Sequence, residues 1–290
     1  MIFGLGAALG WGAADLLAAI AGRRIGAFRT VVIAQGVSAF AVSALVLIVR
    51  PDLEALGSVA GWLIPSALVA ALGYFALYRA LELGPIHLVS PILAAYAVIP
   101  VAMAVVLLHE SLGPLRVLGV AITIGGAVLT SGDLRALRAG TLRMPRSLPW
   151  SIISAVAFGV ATYALGWATR RAGWLPALWL ARTCAAAVFA LIAAVLAARR
   201  GPRAGLEPGI DLRPAVVATI GLAFVDIGGT ASFGYGAEVG LLSIVTAVSA
   251  IYPLIPVFGG VTIFGERPAP NQYLGVVLVV LGLVLLGVSA

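Results

Sequence analysis

Residues 74–129 read YFALYRALELGPIHLVSPILAAYAVIPVAMAVVLLHESLGPLRVLGVAITIGGAVL, and residues 234–287 read GYGAEVGLLSIVTAVSAIYPLIPVFGGVTIFGERPAPNQYLGVVLVVLGLVLLG. Sliding one over the other by 156 residues brings Glu82 onto Glu238, Gly84 onto Gly240, Tyr96 onto Tyr252, Pro100 onto Pro256, Glu110 onto Glu266, Gly119 onto Gly275 and Gly126 onto Gly282, with no gap. A gap-free register of this kind marks an internal repeat. Towards the N-terminus an offset of 147 sets Trp11-Gly12 on Phe158-Gly159, Arg23-Arg24 on Arg170-Arg171 and Gln35 on Arg182. The difference between the two offsets is an insertion in or after the second helix of the second copy.

Working outward, the composition says what kind of repeat this is. Of the 290 residues, 62% are apolar and 10% charged, where a soluble domain carries roughly 25% charged residues. A bilayer core about 30 Å thick needs about 20 apolar residues per helix, so the chain has room for roughly ten spans. They are placed near 2–21, 28–49, 60–81, 86–108, 114–131, 149–169, 174–198, 212–235, 240–264 and 270–289. Lipid offers nothing to an open sheet edge, and period-two alternation is absent, so the spans are helices. The expectation is an all-α integral membrane protein of ten transmembrane helices. It divides into a first five-helix repeat at 1–131, a linker at 132–148 and a second repeat at 149–290. An odd number of spans per repeat makes the second copy enter the membrane from the opposite side. Inverted repeats are the architecture of alternating access in secondary transporters. The N-terminal run lacks a basic region ahead of its apolar stretch and reads as a retained first span.

Composition also excludes chemistries. All 18 basic residues are Arg, so the lysine of a GxxxxGK[ST] phosphate loop is missing. One cysteine, Cys184, cannot form an intramolecular disulfide, and with only His87 and His109 it cannot build a closed zinc site. No metal and no cofactor are expected. The net charge of +7 lies mostly in short connections between apolar runs, which points to phospholipid and topology, not nucleic acid.

The quoted stretches resemble the third to fifth helices of the two EamA repeats of the drug/metabolite transporter superfamily. The shared features are an ALxxG run into a helix with a mid-membrane proline (Pro100, Pro256), a Glu closing that helix (Glu110, Glu266) and a Gly-rich last helix. The resemblance covers essentially the whole chain. It implies a carrier for amino acids or other small metabolites, in export, in a prokaryotic cytoplasmic membrane. Related small multidrug-resistance proteins use a first-helix carboxylate, where Asp15 lies comparably, although its repeat mate here is Thr162.

Two acids fall well inside spans, Asp15 and Asp226. A carboxylate at that depth costs at least about 2.5–3.5 kcal/mol, so it faces a polar cavity or a partner. Both are candidates for proton coupling, and Asp226 also for substrate binding; a structural bond between helices is the competing reading. Arg182 either snorkels to the interface or pairs with an acid or a substrate carboxylate. Tyr74, Tyr78, Tyr96, Tyr163, Trp167, Tyr235 and Tyr252 lie deep or recur between repeats, and they suit the walls of a pocket for an amphipathic solute or a cation. Tyr74, Tyr78 and Glu82 share one helix face and are expected to form one wall. Trp62, Trp150, Trp174 and Trp179 read as interfacial anchors. Pro100 and Pro256 are expected to kink their spans. Glu110 and Glu266 read as loop anchors, with proton coupling the competing reading, and His87 as a residue near the interface whose titration range suits proton linkage. The glycine pairs Gly119/Gly126 and Gly275/Gly282 form small-residue seams, for internal packing or for a homodimer.

The partners implied are a small-molecule solute, lipid and protons. A channel, a lipid-modifying enzyme and a non-transporting scaffold stay open as alternatives. No intramembrane charge ring marks a filter, however, and no GxSxG occurs. Arg in the connections after spans one, three, five, seven and nine numbers 13, against four in the others, once Arg182 is set aside. The positive-inside rule then puts the termini outside, whereas the family resemblance implies termini in the cytoplasm.

Overall fold

The computed structural model describes residues 2–99, 103, 113–130, 134, 144–200, 213–239, 249 and 252–288. No strand occurs among them. Among the described residues, the α-helices in chain order are α1 (Ile2–Ile25), α2 (Ala27–Val49), α3 (Leu56–Leu83), α4 (Ile86–Ala94), α5 (Pro114–Thr130), α6 (Leu148–Ala172), α7 (Trp174–Arg200), α8 (Arg213–Val239), α9 (Leu254–Thr262) and α10 (Pro270–Val288). Six of them, α1, α2, α3, α6, α7 and α8, are long and apolar enough to cross a membrane, while α5 and α10 are shorter apolar helices. Large apolar side chains such as Phe40, Ile48 and Phe258 project outward, at 77%, 79% and 71% exposure. That exposure would be a liability in water and is the normal condition of a surface facing lipid.

Two expected spans are not continuous helices over their described parts. From 86, α4 runs to Ala94, tightens into a 3-10 turn at Ala95–Ala97 and is helical again at Val98 and Ile99. From 240, Ser249 is helical, and the chain turns at Tyr252 and Pro253 before α9 begins at Leu254. Pro256 therefore lies in the first turn of α9 and not in mid-helix. There its missing N–H has no intrahelical partner to lose, and the turn at Tyr252 and Pro253 directly precedes it. Pro100 and Glu110 lie outside the described residues. An interior proline does occur at Pro65 in α3.

The two halves pack through contacts that come in pairs under the same offsets as the sequence repeat. A Cβ added to Gly10 of α1 would sit 2.6 Å from Gly229 Cα of α8, and one added to Gly73 of α3 would sit 3.2 Å from Ala157 Cβ of α6. The second pair is the image of the first. Likewise Gly12 faces Ile255, with Cβ at 2.6 Å, as Gly159 faces Ile99, with Cβ at 2.5 Å. The turn glycines Gly26 and Gly173, also mates, both adopt positive φ, at 82° and 81°. That region is open to glycine at no steric cost and lets α1 turn into α2, and α6 into α7, with a one-residue connection.

The glycine seams of α5 and α10 close on each other. A Cβ on Gly126 would lie 2.6 Å from Val279 N and 2.7 Å from Gly275 O; one on Gly282 would lie 2.6 Å from Thr123 N and 2.8 Å from Gly119 O. The hydroxyls of Thr123 and Thr130 bond back to Gly119 O and Gly126 O at 2.8 and 2.9 Å, so each side chain folds against its own helix. Without a hydrophobic drive between helices in lipid, such backbone proximity is what holds them together. This seam is occupied within the chain.

Candidate functional site

The sequence places three charges inside spans, and the fold brings them to one centre. Arg182 of α7 meets Asp226 of α8 at 2.6 Å, with only 4% of the arginine exposed. The pairing decides between the two readings of Arg182, since a snorkelling side chain would extend to the interface. It also changes the reading of Asp226, which is not a lone carboxylate. A buried ion pair of this geometry offsets part of the desolvation each ion suffers alone. The guanidinium lies 5.0 Å from the centre of the Tyr74 ring and donates to Thr230 Oγ1 at 3.4 Å. Its Nη1, also buried, has no hydrogen-bond partner.

Asp15 is 5% exposed on α1 and accepts a 2.9 Å bond from Ser90 Oγ on α4. It lies within electrostatic reach of Asp226. One turn earlier on the same face, Trp11 Nε1 donates to Thr230 at 3.2 Å, so Thr230 is contacted by both Trp11 and Arg182. Trp11 also meets Tyr252 edge-on, ring centres 6.2 Å apart. Tyr252 is 5% exposed, lies within reach of Asp15 and Tyr96, and its hydroxyl has no hydrogen-bond partner. Tyr78 is within reach of Asp226, Tyr74, Arg182 and Asp15 at once. The centre is thus Asp15, Arg182 and Asp226, walled by Trp11, Tyr74, Tyr78, Tyr96 and Tyr252.

Other expected wall residues sit elsewhere. Trp167 lies under the Arg171 guanidinium at 4.0 Å, in a satellite cluster with Val59, Leu63 and Ala177 near the C-terminal end of α6. Tyr235 is 46% exposed and packs edge-on against Phe3 at 5.2 Å. Tyr163 is half-buried on α6. The stripe of Tyr74, Tyr78 and Glu82 divides. Its tyrosines turn to the centre, whereas Glu82 accepts the Ala27 N–H at 3.0 Å and pairs with Arg79 at 2.9 Å, at the end of the bundle. Of the expected interfacial tryptophans, Trp62 is exposed, while Trp150, Trp174 and Trp179 are half-buried.

Trp11, Ser90, Phe158 and Thr230 are site residues that sequence reasoning passed over. Trp11 had a signal, standing four residues before Asp15 on one helix face. Thr230 had another, since the 156-residue offset lays it on Tyr74, just as Phe158, which meets Tyr74 at 4.8 Å, is the mate of Trp11. Ser90 had none.

A second polar cluster lies at the end of the bundle where α1 finishes. Glu266, between α9 and α10, accepts Arg23 Nη2 at 3.1 Å and the Ile86 N–H at 2.9 Å on Oε1; on Oε2 it accepts the His87 N–H at 3.1 Å and meets His87 Nδ1 at 2.8 Å. Burial pushes the carboxyl up, but bonds from the His87 ring, from the two N–H groups opening α4 and from Arg23 outweigh it and hold the pKa at about 2. Glu266 is therefore ionised throughout the physiological range.

Among the described residues no cluster of His, Cys, Asp and Glu could hold a metal ion. No curated protein matches the sequence significantly. A crystal structure whose chain is 20% identical aligns over 98% of this chain and 96% of its own with a TM-score of 0.62, a likeness in fold. The model of the EamA-like transporter family matches residues 1–132 and 146–288. Two matched segments spanning nearly all of an apolar helical chain, on either side of a shared charged centre, establish that this protein belongs to the EamA-like transporter family.

Proposed function

We propose that the chain is a secondary transporter that moves a small organic metabolite, an amino acid or a comparably sized amphipathic solute, by alternating access between two inverted five-helix repeats, in the export direction across a prokaryotic cytoplasmic membrane. The observation that carries this reading is the convergence of Asp15, Arg182 and Asp226 at the seam between the halves, with two buried donors unpartnered beside them. Arg182 Nη1 and the Tyr252 hydroxyl are each available to an acceptor oxygen on a solute, because a buried donor left unmade is costly and binding a solute relieves that cost. The aromatic rings take the apolar part of the solute. Asp15, which accepts a hydroxyl bond and, among the described residues, has no ion pair like that of Asp226, is the group assigned to proton exchange.

In proteoliposomes the protein should catalyse saturable counterflow of its solute. Single cysteines replacing Tyr74, Asp226 or Tyr252 in a Cys184→Ala background should react with a polar thiol reagent and be protected by that solute. Asp15→Asn should keep counterflow while losing uptake driven by a pH gradient. Ohmic current without saturation would make the chain a channel, and three unreactive cysteines would remove the site assignment.

Both termini are placed outside the cell, on the excess of Arg at the opposite end of the bundle. A C-terminal alkaline-phosphatase fusion at Ala290 is then active and a fluorescent-protein fusion dark; the reverse pair of results would put the Arg-rich end outside.

A further inference from the structure

The Glu266 cluster is more than the anchoring of a loop, because of what it joins. Its four acceptor contacts reach the end of α1 through Arg23 and the start of α4 through Ile86 and His87, from a connection that belongs to the second half. Arg23 is itself fixed to the corner between α3 and α4, donating to Leu81 O at 3.2 Å and Gly84 O at 2.9 Å, and it lies over the Phe264 ring at 4.2 Å. On the second-half side, the Glu266 N–H is held by Gly260 O at 3.0 Å, and Gly265 takes a φ of 65° to aim the connection inward. A Cβ on Gly84 would run into the side chain of Ser147, the residue before α6, so the corner is closely packed as well.

The clamped elements are the ones that build the centre. Asp15 lies on α1, eight residues before Arg23, which at 1.5 Å per residue is about 12 Å along the helix. Ser90, which bonds Asp15, lies on α4 four residues after Ile86, and Tyr252 lies two residues before α9. Separating α1, α4 and the α9–α10 connection at this end would expose the centre to the Arg-rich side. That movement cannot occur while one carboxylate bonds all three. Charge-assisted bonds of this kind are strong yet exchangeable for water, which Arg23, at 29% side-chain exposure, already meets.

We infer that the Glu266 carboxylate, with Arg23 and the first two N–H groups of α4, is the latch that keeps the centre closed towards the Arg-rich end, and that each transport cycle releases it. The inference rests on the transporter reading above. Its readout does not require a known solute.

In sealed vesicles carrying Tyr78→Cys in the Cys184→Ala background, Glu266→Ala should raise labelling by a membrane-impermeant thiol reagent added on the Arg-rich side at least about tenfold, with no such rise from the other side. Unchanged sided labelling would overturn the latch and return Glu266 to loop anchoring. Should Glu266→Ala fail to fold, Glu266→Gln, which keeps the shape and removes the charge, should give a smaller rise on the same side; no rise overturns the proposal. Arg23→Cys/Glu266→Cys, bridged by a short reducible bifunctional reagent, should lose counterflow and recover it on reduction. Full counterflow with the bridge in place overturns the latch. Absence of counterflow for every solute in the unbridged parent would instead sink the transporter reading, and the labelling would still decide the latch.

Discussion

Asp226→Asn is expected to destabilise the protein by about 3–5 kcal/mol and to abolish transport, because it strands a guanidinium that is 4% exposed in an apolar interior. The asymmetry of the pair makes a sharper expectation. An unpaired carboxylate can neutralise itself by taking up a proton, whereas an arginine at that depth cannot give one up. Arg182→Met should therefore cost less than Asp226→Asn. The double variant Arg182→Met/Asp226→Leu should recover most of the stability, since apolar replacement of a buried pair is often neutral or better, and should still not transport. Unfolding midpoints in detergent, set beside counterflow in proteoliposomes, separate the two effects. A double variant that regains transport would show the pair to be a structural tie between α7 and α8.

The second large effect is steric. Gly126→Leu and Gly282→Leu should each destabilise by about 1–3 kcal/mol or more, because the first carbon of the new side chain already falls 2.6 Å from a backbone nitrogen of the facing helix. Backbone cannot rotate aside as a side chain can, so α5 and α10 must separate. Gly125→Ala is the control, with nothing within 4 Å of its added Cβ, and should be neutral or stabilising by up to about 1 kcal/mol from helix propensity. Thermal unfolding of the three variants checks this. Equal midpoints for Gly125→Ala and Gly126→Leu would mean that the two helices are not packed through this seam.

The Arg182–Asp226 pair and the glycine seam bracket what could be read in advance. The seam was legible because both of its faces are written twice, and a repeat whose glycines superpose needs its backbones close at both copies. The membrane class, the helical fold and the duplication were equally legible. Apolar length and the lack of alternation admit only helices in lipid, and the register of Glu82 on Glu238 or Gly126 on Gly282 survives without knowledge of any contact. That Asp15, Arg182 and Asp226 are special was also legible, since charges inside spans are expensive wherever they end up.

Which charge meets which was not. Arg182 and Asp226 are 44 residues apart on different helices, and periodicity along each helix gives a face but not the face's neighbour. The same limit put Glu82 on the tyrosine wall: its helical face was right, but one more turn carries it past the centre to the N-terminus of α2, where an unpaired N–H takes it. Depth in a span singles out Trp167 and Tyr235, but depth does not say whether a ring turns inward, to lipid or to a satellite cluster. Pro256 reads as mid-helical because an apolar run looks continuous across a turn when no charge interrupts it. Glu266 shows the division most plainly. The sequence by itself determined that a carboxylate closes the fourth helix of each repeat; only the tertiary structure brought Glu266 to Arg23 and to the N-terminus of α4, because those donors come from the other half of the chain and meet it through packing alone.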